Sequence, residues 1–285
     1  APDKNISITS TICATGGDDV FAGGFAGYYT ADKKEFSFDL SKLNIDVSLK
    51  GDIEKTVVGG VFGILDIKAN QTVTVKGVDP GKNGDGTTAE PTTVKSQLSG
   101  SVEHYGSIVG RAIGVDRIGD KMASSFIVKN INTVTLSNGK TINFNYGGVA
   151  AEIAKNRTGS LYFSVNNVIA DMDKGASSTN AKNIGGVIGY SNTKSMVDIC
   201  DIKVSGNFKN ANITRNAGLV AYMGGGAVRL SGKTDLSEVT LATGTAYIGQ
   251  LMGKHDSLVF AEKGWKFIRQ TTPQPQSISD FADWG

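Results

Sequence analysis

Seven short segments of this chain share one pattern, in which small residues flank an apolar pair, as in Gly59-Gly60-Val61-Phe62-Gly63. Their first positions are separated by 36, 47, 41, 38, 32 and 32 residues. Recurrence at such spacings is typical of repeat proteins, in which each repeat buries its apolar face against its neighbours. The segments begin at Gly23, Gly59, Gly106, Gly147, Gly185, Ala217 and Gly249.

Runs in which apolar and polar residues alternate follow these signatures, as in residues 160–165 and 197–204. Alternation with a period of two indicates a strand with one buried face, and no stretch of comparable length has a helical period. One or two such runs follow each signature, and one turn of a three-sided β-helix requires about three short strands per repeat. The sequence therefore predicts an all-β right-handed parallel β-helix, a solenoid of about seven coils with a minimal coil of 32 residues.

Stacking explains why the signature recurs. Equivalent residues of neighbouring coils lie about 4.8 Å apart, so the apolar positions form one ladder. Glycine at the same corner of each coil supplies a backbone shape, often with positive φ, that a side chain would obstruct. The predicted structural glycines are Gly24, Gly60, Gly148, Gly186 and Gly218, and the predicted ladder is Phe25, Val61, Ile108, Val149, Val187, Leu219 and Leu251.

A β-propeller or an antiparallel β-sandwich is the alternative architecture, because propeller blades also repeat at roughly 40 to 50 residues. Both would need hairpins between the alternating runs. Two-residue hairpin signals are scarce, and Asn138-Gly139 is the clearest of them.

The two ends differ from the middle of the chain. Residues 1–20 contain an apolar run that predicts an N-terminal capping strand, residues 21–270 form the repeat domain, and residues 271–285 are predicted to be a linker or tail. No apolar stretch approaches the roughly 18 residues of a membrane span, so no membrane insertion is expected. We expect the chain to belong to a larger multidomain protein.

Charge excludes some partners. The 29 basic residues nearly cancel the 27 acidic residues without forming runs, so nucleic-acid binding is not expected. Cys13 and Cys200 are interpreted as small hydrophobic residues that need not pair. The two histidines, His104 and His255, lack nearby partners in the sequence, so neither a metal site nor a cofactor is predicted.

The segment from Gly185 to Phe208 resembles the GLUG-type glycine-rich repeat of large bacterial surface proteins. It has that family's glycine core, an asparagine-bearing turn at Asn192, an alternating strand and a closing Val204-Ser205-Gly206. Other repeats match mainly in the glycine core, over roughly residues 22–260. The resemblance implies a β-helical module in an adhesin-like protein that is secreted or attached to the cell wall, and it implies no reaction.

Acidic and amide residues of the longest insertions are the candidate ligand-binding residues, because loops on a rigid scaffold tend to carry recognition. They are Asp79, Asn83, Asp85, Glu90, Asp116, Asp120, Asp171 and Asp173. The expected function is non-catalytic adhesion to a host or bacterial surface protein or glycan. A polysaccharide lyase or hydrolase, using Asp116 with Asp120 or Asp171 with Asp173, is one alternative. A purely structural stalk is the other.

Overall fold

The computed structural model describes most of the chain. The described residues are 6–13, 19–41, 43–52, 55–79, 81, 92–115, 124–138, 142–155, 161–172, 181–191, 194–208, 214–241, 247–269 and 279–281. None of these residues is helical. The part of the chain described is thus all-β, as the alternating sequence runs predicted.

Twenty-four strands make up the described structure. The first twelve are β1 (Ile6–Cys13), β2 (Val20–Gly23), β3 (Ala26–Ala31), β4 (Glu35–Asp39), β5 (Leu43–Asp52), β6 (Thr56–Gly59), β7 (Phe62–Ile67), β8 (Thr72–Lys76), β9 (Thr92–Gly106), β10 (Val109–Gly114), β11 (Ser124–Asn138) and β12 (Ile142–Gly147). The others are β13 (Ala150–Lys155), β14 (Leu161–Met172), β15 (Asn183–Gly185), β16 (Ile188–Ser191), β17 (Met196–Phe208), β18 (Arg215–Ala217), β19 (Val220–Met223), β20 (Ala227–Leu241), β21 (Tyr247–His255), β22 (Leu258–Ala261), β23 (Lys266–Ile268) and β24 (Ser279–Phe281).

All strand pairings between described residues are parallel, and each joins a strand to the equivalent strand of the next repeat. One sheet contains β4, β8, β11, β14, β17, β20 and β22, paired in that order. The other contains β2, β6, the end of β9, β12, β15, β18 and β21. The antiparallel alternatives are therefore wrong for these residues. The clearest hairpin signal does not join an antiparallel pair, because β11 ends at Asn138 and the next strand, β12, pairs with β9 and β15.

The register of these pairings follows the signature spacing read from the sequence. Gly23 pairs with Gly59, Gly59 with Gly106, and the column continues to Gly249. The signature does not begin a strand. In the first six repeats its first residue ends one strand, its second and third residues form a bend, and its fourth begins the next strand, whereas β21 runs through the seventh signature without interruption. The signature is thus a corner between two short strands.

Backbone hydrogen bonds join the corners of successive repeats. Each amide at the third signature position donates to the carbonyl oxygen of the same position in the next repeat, at 2.8–3.3 Å. The chain of donors runs from Phe25 through Val61, Ile108, Val149, Val187 and Leu219 to Leu251. The predicted ladder is thus a hydrogen-bonded column as well as a column of side chains.

Close approach of backbone, not positive φ, explains the second glycine of the signature. A Cβ atom on Gly186 would lie 1.9 Å from the carbonyl oxygen of Gly218, and a Cβ on Gly218 would lie 2.3 Å from that of Gln250. The same clash with the next repeat would occur at Gly24, Gly60 and Gly148. None of these five glycines has positive φ, so that part of the sequence interpretation is wrong.

Positive φ occurs at a different corner, within the long strands of the first sheet. Asn130, Asn167 and Asp201 have φ of 58°, 51° and 49°, and Gly232 has φ of 59°. Strand pairing places these residues in one column. Asparagine, aspartate and glycine tolerate left-handed backbone better than other residues. The Asn167 side-chain amide also donates to Asn130 Oδ1 at 2.9 Å, which links two repeats.

The core lies between the sheets and is filled by the inward residues of every repeat. The ladder residues from Val61 to Leu251 are at most 2% exposed, whereas Phe25 is 48% exposed. Phe25 lies between β2 and β3. Among the described strands, β2 pairs only with β6 and β3 only with β7, so no described strand covers Phe25 from the other side. Aromatic rings partly cover this end, with Phe25 and Phe38 centroids 4.3 Å apart.

The terminal segments also form strands. β1, inside the predicted capping segment, pairs with β5, and β24, inside the predicted tail, pairs with β21. Cys200 is a free, half-buried thiol whose pKa is raised by burial.

Replacing Gly186 with alanine should lower the free energy of unfolding by about 3 kcal/mol or more, because the new Cβ would force neighbouring backbones apart. The matched control is Gln250→Ala, in the same column, where a side chain is already present. Urea unfolding followed by circular dichroism measures both. An unchanged midpoint for Gly186→Ala would contradict the close approach.

Asn167→Ala should destabilise the protein by about 1–3 kcal/mol, since it loses both the bond to Asn130 and a residue suited to positive φ. Asn167→Gly keeps the backbone conformation and loses the hydrogen bond alone, so its thermal midpoint should fall by less. Equal losses for the two variants would show that backbone conformation is not part of the effect.

Candidate functional site

Two columns of side chains flank the signature corner along the whole stack. One consists of the residues two positions before each signature, and the other of the residues five positions after its first residue. We call them together the seam. The first column is Phe21, Val57, His104, Asn145, Asn183, Arg215 and Tyr247. The second is Tyr28, Ile64, Arg111, Glu152, Tyr190, Tyr222 and Lys254.

Side chains of the two columns meet across the corner because the chain bends sharply at the signature. The Phe21 and Tyr28 ring centroids are 6.1 Å apart in the first repeat. In the last repeat, Lys254 Nζ lies 4.7 Å from the centroid of Tyr247. In these repeats, and at Arg215 with Tyr222, the seam joins residues that are seven apart in sequence. Its chemistry changes along the stack from apolar to charged to aromatic and basic.

The middle of the seam holds a buried histidine between two glutamates. His104 Nε2 lies 3.7 Å from Glu103 Oε1 and 4.0 Å from Glu152 Oε2. Burial, with a smaller contribution from the positive charge of Arg111, lowers the pKa of His104 to about 4, so the ring is neutral at pH 7. Arg111 donates from Nε and Nη2 to Glu152 Oε2, at 2.9 and 2.7 Å.

The two glutamates experience different surroundings. Burial raises the pKa of Glu103. The positive charge of Arg111 lowers this pKa, and the negative charge of Glu152 raises it. Glu152, in contrast, accepts two hydrogen bonds from the Arg111 guanidinium. Two acids in unequal environments are the arrangement from which general acid–base pairs are built.

Asparagine side chains continue the first column toward the C-terminal repeats. Arg215 Nη1 donates to Asn183 Oδ1 at 3.0 Å, and Asn183 Nδ2 donates to Asn145 Oδ1 at 2.7 Å. Asn145 and Asn183 are each 1% exposed. Asn145 Nδ2 and the Nδ1 atom of its neighbour His104 are buried without a hydrogen-bond partner. The donors therefore all point in one direction along the column.

Tyrosines and basic residues form the C-terminal part of the seam. The Tyr190 and Tyr222 rings stack with centroids 4.9 Å apart. The Arg215 guanidinium lies 4.6 Å from the Tyr222 centroid and 5.9 Å from that of Tyr247. These cation–π contacts fix the position of the arginine.

A second polar network lies on the outer face of the first sheet. Tyr162 donates to Asp198 Oδ2 at 2.6 Å, Arg229 Nε donates to Asp198 Oδ1 at 3.1 Å, and Arg229 Nη1 lies 3.4 Å from Glu262. Burial, followed by its bond to Asp198, raises the pKa of Tyr162. All four residues are partnered within the network, which links four successive repeats.

Most of the candidate binding residues predicted from sequence, namely Asn83, Asp85, Glu90, Asp116, Asp120 and Asp173, lie outside the described residues. Asp79 is exposed just after β8. Asp171 is half-buried and accepts a hydrogen bond from Ser205 at 2.8 Å. The structure therefore does not bring the described members together.

The seam was missed by the sequence analysis, which treated His104 as an isolated residue. The signal that could have revealed it is the constant offset of each seam pair from its signature. Among the described residues, no group of three or more histidine, cysteine, aspartate or glutamate side chains is arranged to hold a metal ion. Nor do these residues include a helix of the length and apolar character that a membrane span requires.

Comparison with models of protein families, with curated proteins and with solved structures found no match to this chain.

The lowered pKa of His104 predicts how stability depends on pH. Between pH 6.5 and 4 the unfolded chain binds a proton at His104 that the folded chain does not, so stability falls as pH decreases through this range. The loss should reach about 3 kcal/mol near pH 4. Urea unfolding from pH 7.5 to 4 measures it. His104→Gln should show a flatter dependence, and identical slopes would contradict the assignment.

Proposed function

We propose that this chain is a right-handed parallel β-helix that serves as a non-catalytic binding module of a bacterial surface protein. Parallel pairing between successive repeats supports the β-helix, because each strand adds to the strand one repeat away. The inserted segments between strands display the residues that contact a ligand. The partner is a protein or glycan on a host or bacterial surface.

The main support for this proposal is that the signature residues stay in register although the segments inserted between them differ in length. Register is kept from Gly23 to Gly249 while the repeat length varies from 32 to 47 residues. A scaffold that tolerates insertions at fixed places is suited to carrying recognition loops.

The bases of the two longest early insertions are closed by hydrogen bonds. Val78 N donates to Thr92 Oγ1 at 3.0 Å, on either side of residues 79–91. Ser124 N donates to the Val115 carbonyl oxygen at 3.1 Å, and Val115 N donates to Ser124 Oγ at 2.9 Å. Each insertion thus leaves and rejoins the scaffold at neighbouring points, so its sequence can change without disturbing the stack.

Location at the cell surface rests on the resemblance of Gly185–Phe208 to the GLUG-type repeat of bacterial adhesin-like proteins. The resemblance is carried by the same glycine corner that the structure explains through close backbone contact. We propose a secreted or wall-attached position within a larger chain on this ground.

A carbohydrate-active enzyme is the second candidate, favoured by one observation. Glu103 and Glu152 both approach His104 Nε2, and the surroundings of the two acids differ. Two carboxyl groups in unequal surroundings are the arrangement used in glycoside hydrolysis. These glutamates are tested alongside the aspartate pairs expected from the sequence.

Replacing residues 80–90 with Gly-Gly should leave the thermal midpoint nearly unchanged, because the Val78–Thr92 bond closes the base, and should weaken binding by about tenfold or more. Binding of the full 285-residue chain to cultured cells, matrix glycoproteins and bacterial surfaces is measured. The control carries the same loop composition in scrambled order.

Several outcomes would decide between the candidates. Absence of saturable binding by the unaltered protein would leave a purely structural stalk and overturn the proposal. Release of sugar reducing ends from a polysaccharide panel, lost in Glu103→Gln, would establish the enzyme instead.

A further inference from the structure

We propose that the C-terminal part of the seam binds an acidic polysaccharide, whose carboxylate or sulfate groups pair with Arg215 and Lys254. This inference rests on the proposed function as a binding module and names the ligand class and its site. Arg215 and Lys254 belong to the strands β18 and β21 of the scaffold.

Aromatic and amide side chains hold the guanidinium of Arg215 in place. Tyr222 and Tyr247 lie beside its guanidinium, and Asn183 accepts a hydrogen bond from Nη1. Its Nε atom is buried without a hydrogen-bond partner. No carboxylate contacts Arg215 among the residues that the structure describes. A half-buried cation without a counter-ion gains free energy when an anion binds beside it.

Two lysines extend the positive charge along the same surface. Lys254 lies over the Tyr247 ring and is 3.4 Å from the Tyr247 hydroxyl. Lys182, next to Asn183 in the chain, lies 5.3 Å from the centroid of Phe144. Within the described ranges neither lysine forms an ion pair, whereas Glu152 of the seam is paired with Arg111. None of the carboxylates that the structure describes thus balances the positive charge of Arg215, Lys254 and Lys182 by direct contact.

The repeat geometry favours a polymer that runs along the stack. Equivalent seam positions recur at the strand spacing of about 4.8 Å. A hexopyranose unit adds a similar length to an extended glycan chain, so successive sugars can meet successive repeats. An extended acidic peptide presents the side chains of one face only every ~6.8 Å, so they would not match the spacing of the repeats. Tyr190 and Tyr222, which are half-buried, supply hydroxyl groups of the kind that bind sugar hydroxyls.

Direct binding measurements on the 285-residue chain test the site. The probes are polygalacturonate, a sulfated glycosaminoglycan, an uncharged β-1,4-glucan and polyglutamate. We expect at least one acidic glycan to bind about tenfold or more tightly than the uncharged glucan, with affinity that falls as salt rises. The two acidic glycans distinguish carboxylate from sulfate recognition.

The test variant is Arg215→Gln with Lys254→Gln, which should reduce acidic-glycan affinity by about tenfold or more. The matched control, Lys129→Gln with Lys194→Gln, removes the same charge from exposed positions that are not in the seam. Lys254→Gln alone is the second variant, because it leaves the Arg215–Asn183 bond intact if the double variant fails to fold.

If the test and control variants lose acidic-glycan affinity equally, the binding depends on overall charge and not on this site, and the proposal is overturned. Equal or tighter binding of polyglutamate would overturn the choice of a glycan. If no acidic glycan binds while the loop-dependent binding to surfaces persists, this site fails and the proposed function stands. If both are absent, both fail.

Discussion

Contact between backbones at the signature corner is the interaction on which the rest of this structure depends. The carbonyl oxygen of one repeat occupies the space where the glycine of the preceding repeat lacks a side chain, as between Gly186 and Gly218. The adjacent amides then reach carbonyl oxygens of the next repeat at hydrogen-bonding distance. Since this contact fixes the register, every other residue of a repeat is also placed over its counterpart.

Register explains why side chains form columns with coherent chemistry. The left-handed corner at Asn130, Asn167, Asp201 and Gly232 is one such column, and each column of the seam is another. A column allows contacts between repeats that are distant in sequence, such as Asn183 with Asn145. It also means that one substitution acts on two neighbours, because each member of a column has a partner on either side. Stability and binding chemistry therefore depend on the same geometric feature.

The sequence predicted a substantial part of this fold for a simple physical reason. Alternation of apolar and polar residues sets which face of a strand is buried, and the signature spacing of 36, 47, 41, 38, 32 and 32 residues became the register of the parallel pairings. The positions of the structural glycines were predicted correctly, but the reason given for them, positive φ, was wrong. Neither a φ angle nor the distance between two backbones can be read from residue type. The exposure of Phe25 was missed because the sequence pattern does not show that the first residue of the ladder has a neighbouring repeat on one side only.

Sequence by itself determined that the chain repeats, where each repeat bends, and which residues form the apolar ladder, because these follow from local pattern and residue size. Tertiary structure decided what lies across each bend. Burial, with a smaller contribution from the charge of Arg111, lowers the pKa of His104 and keeps its ring neutral at pH 7. Arg215 lies beside the rings of Tyr222 and Tyr247, and no carboxylate among the described residues contacts it. Charge and burial of a side chain depend on neighbours that folding brings together, and a linear pattern does not contain those neighbours.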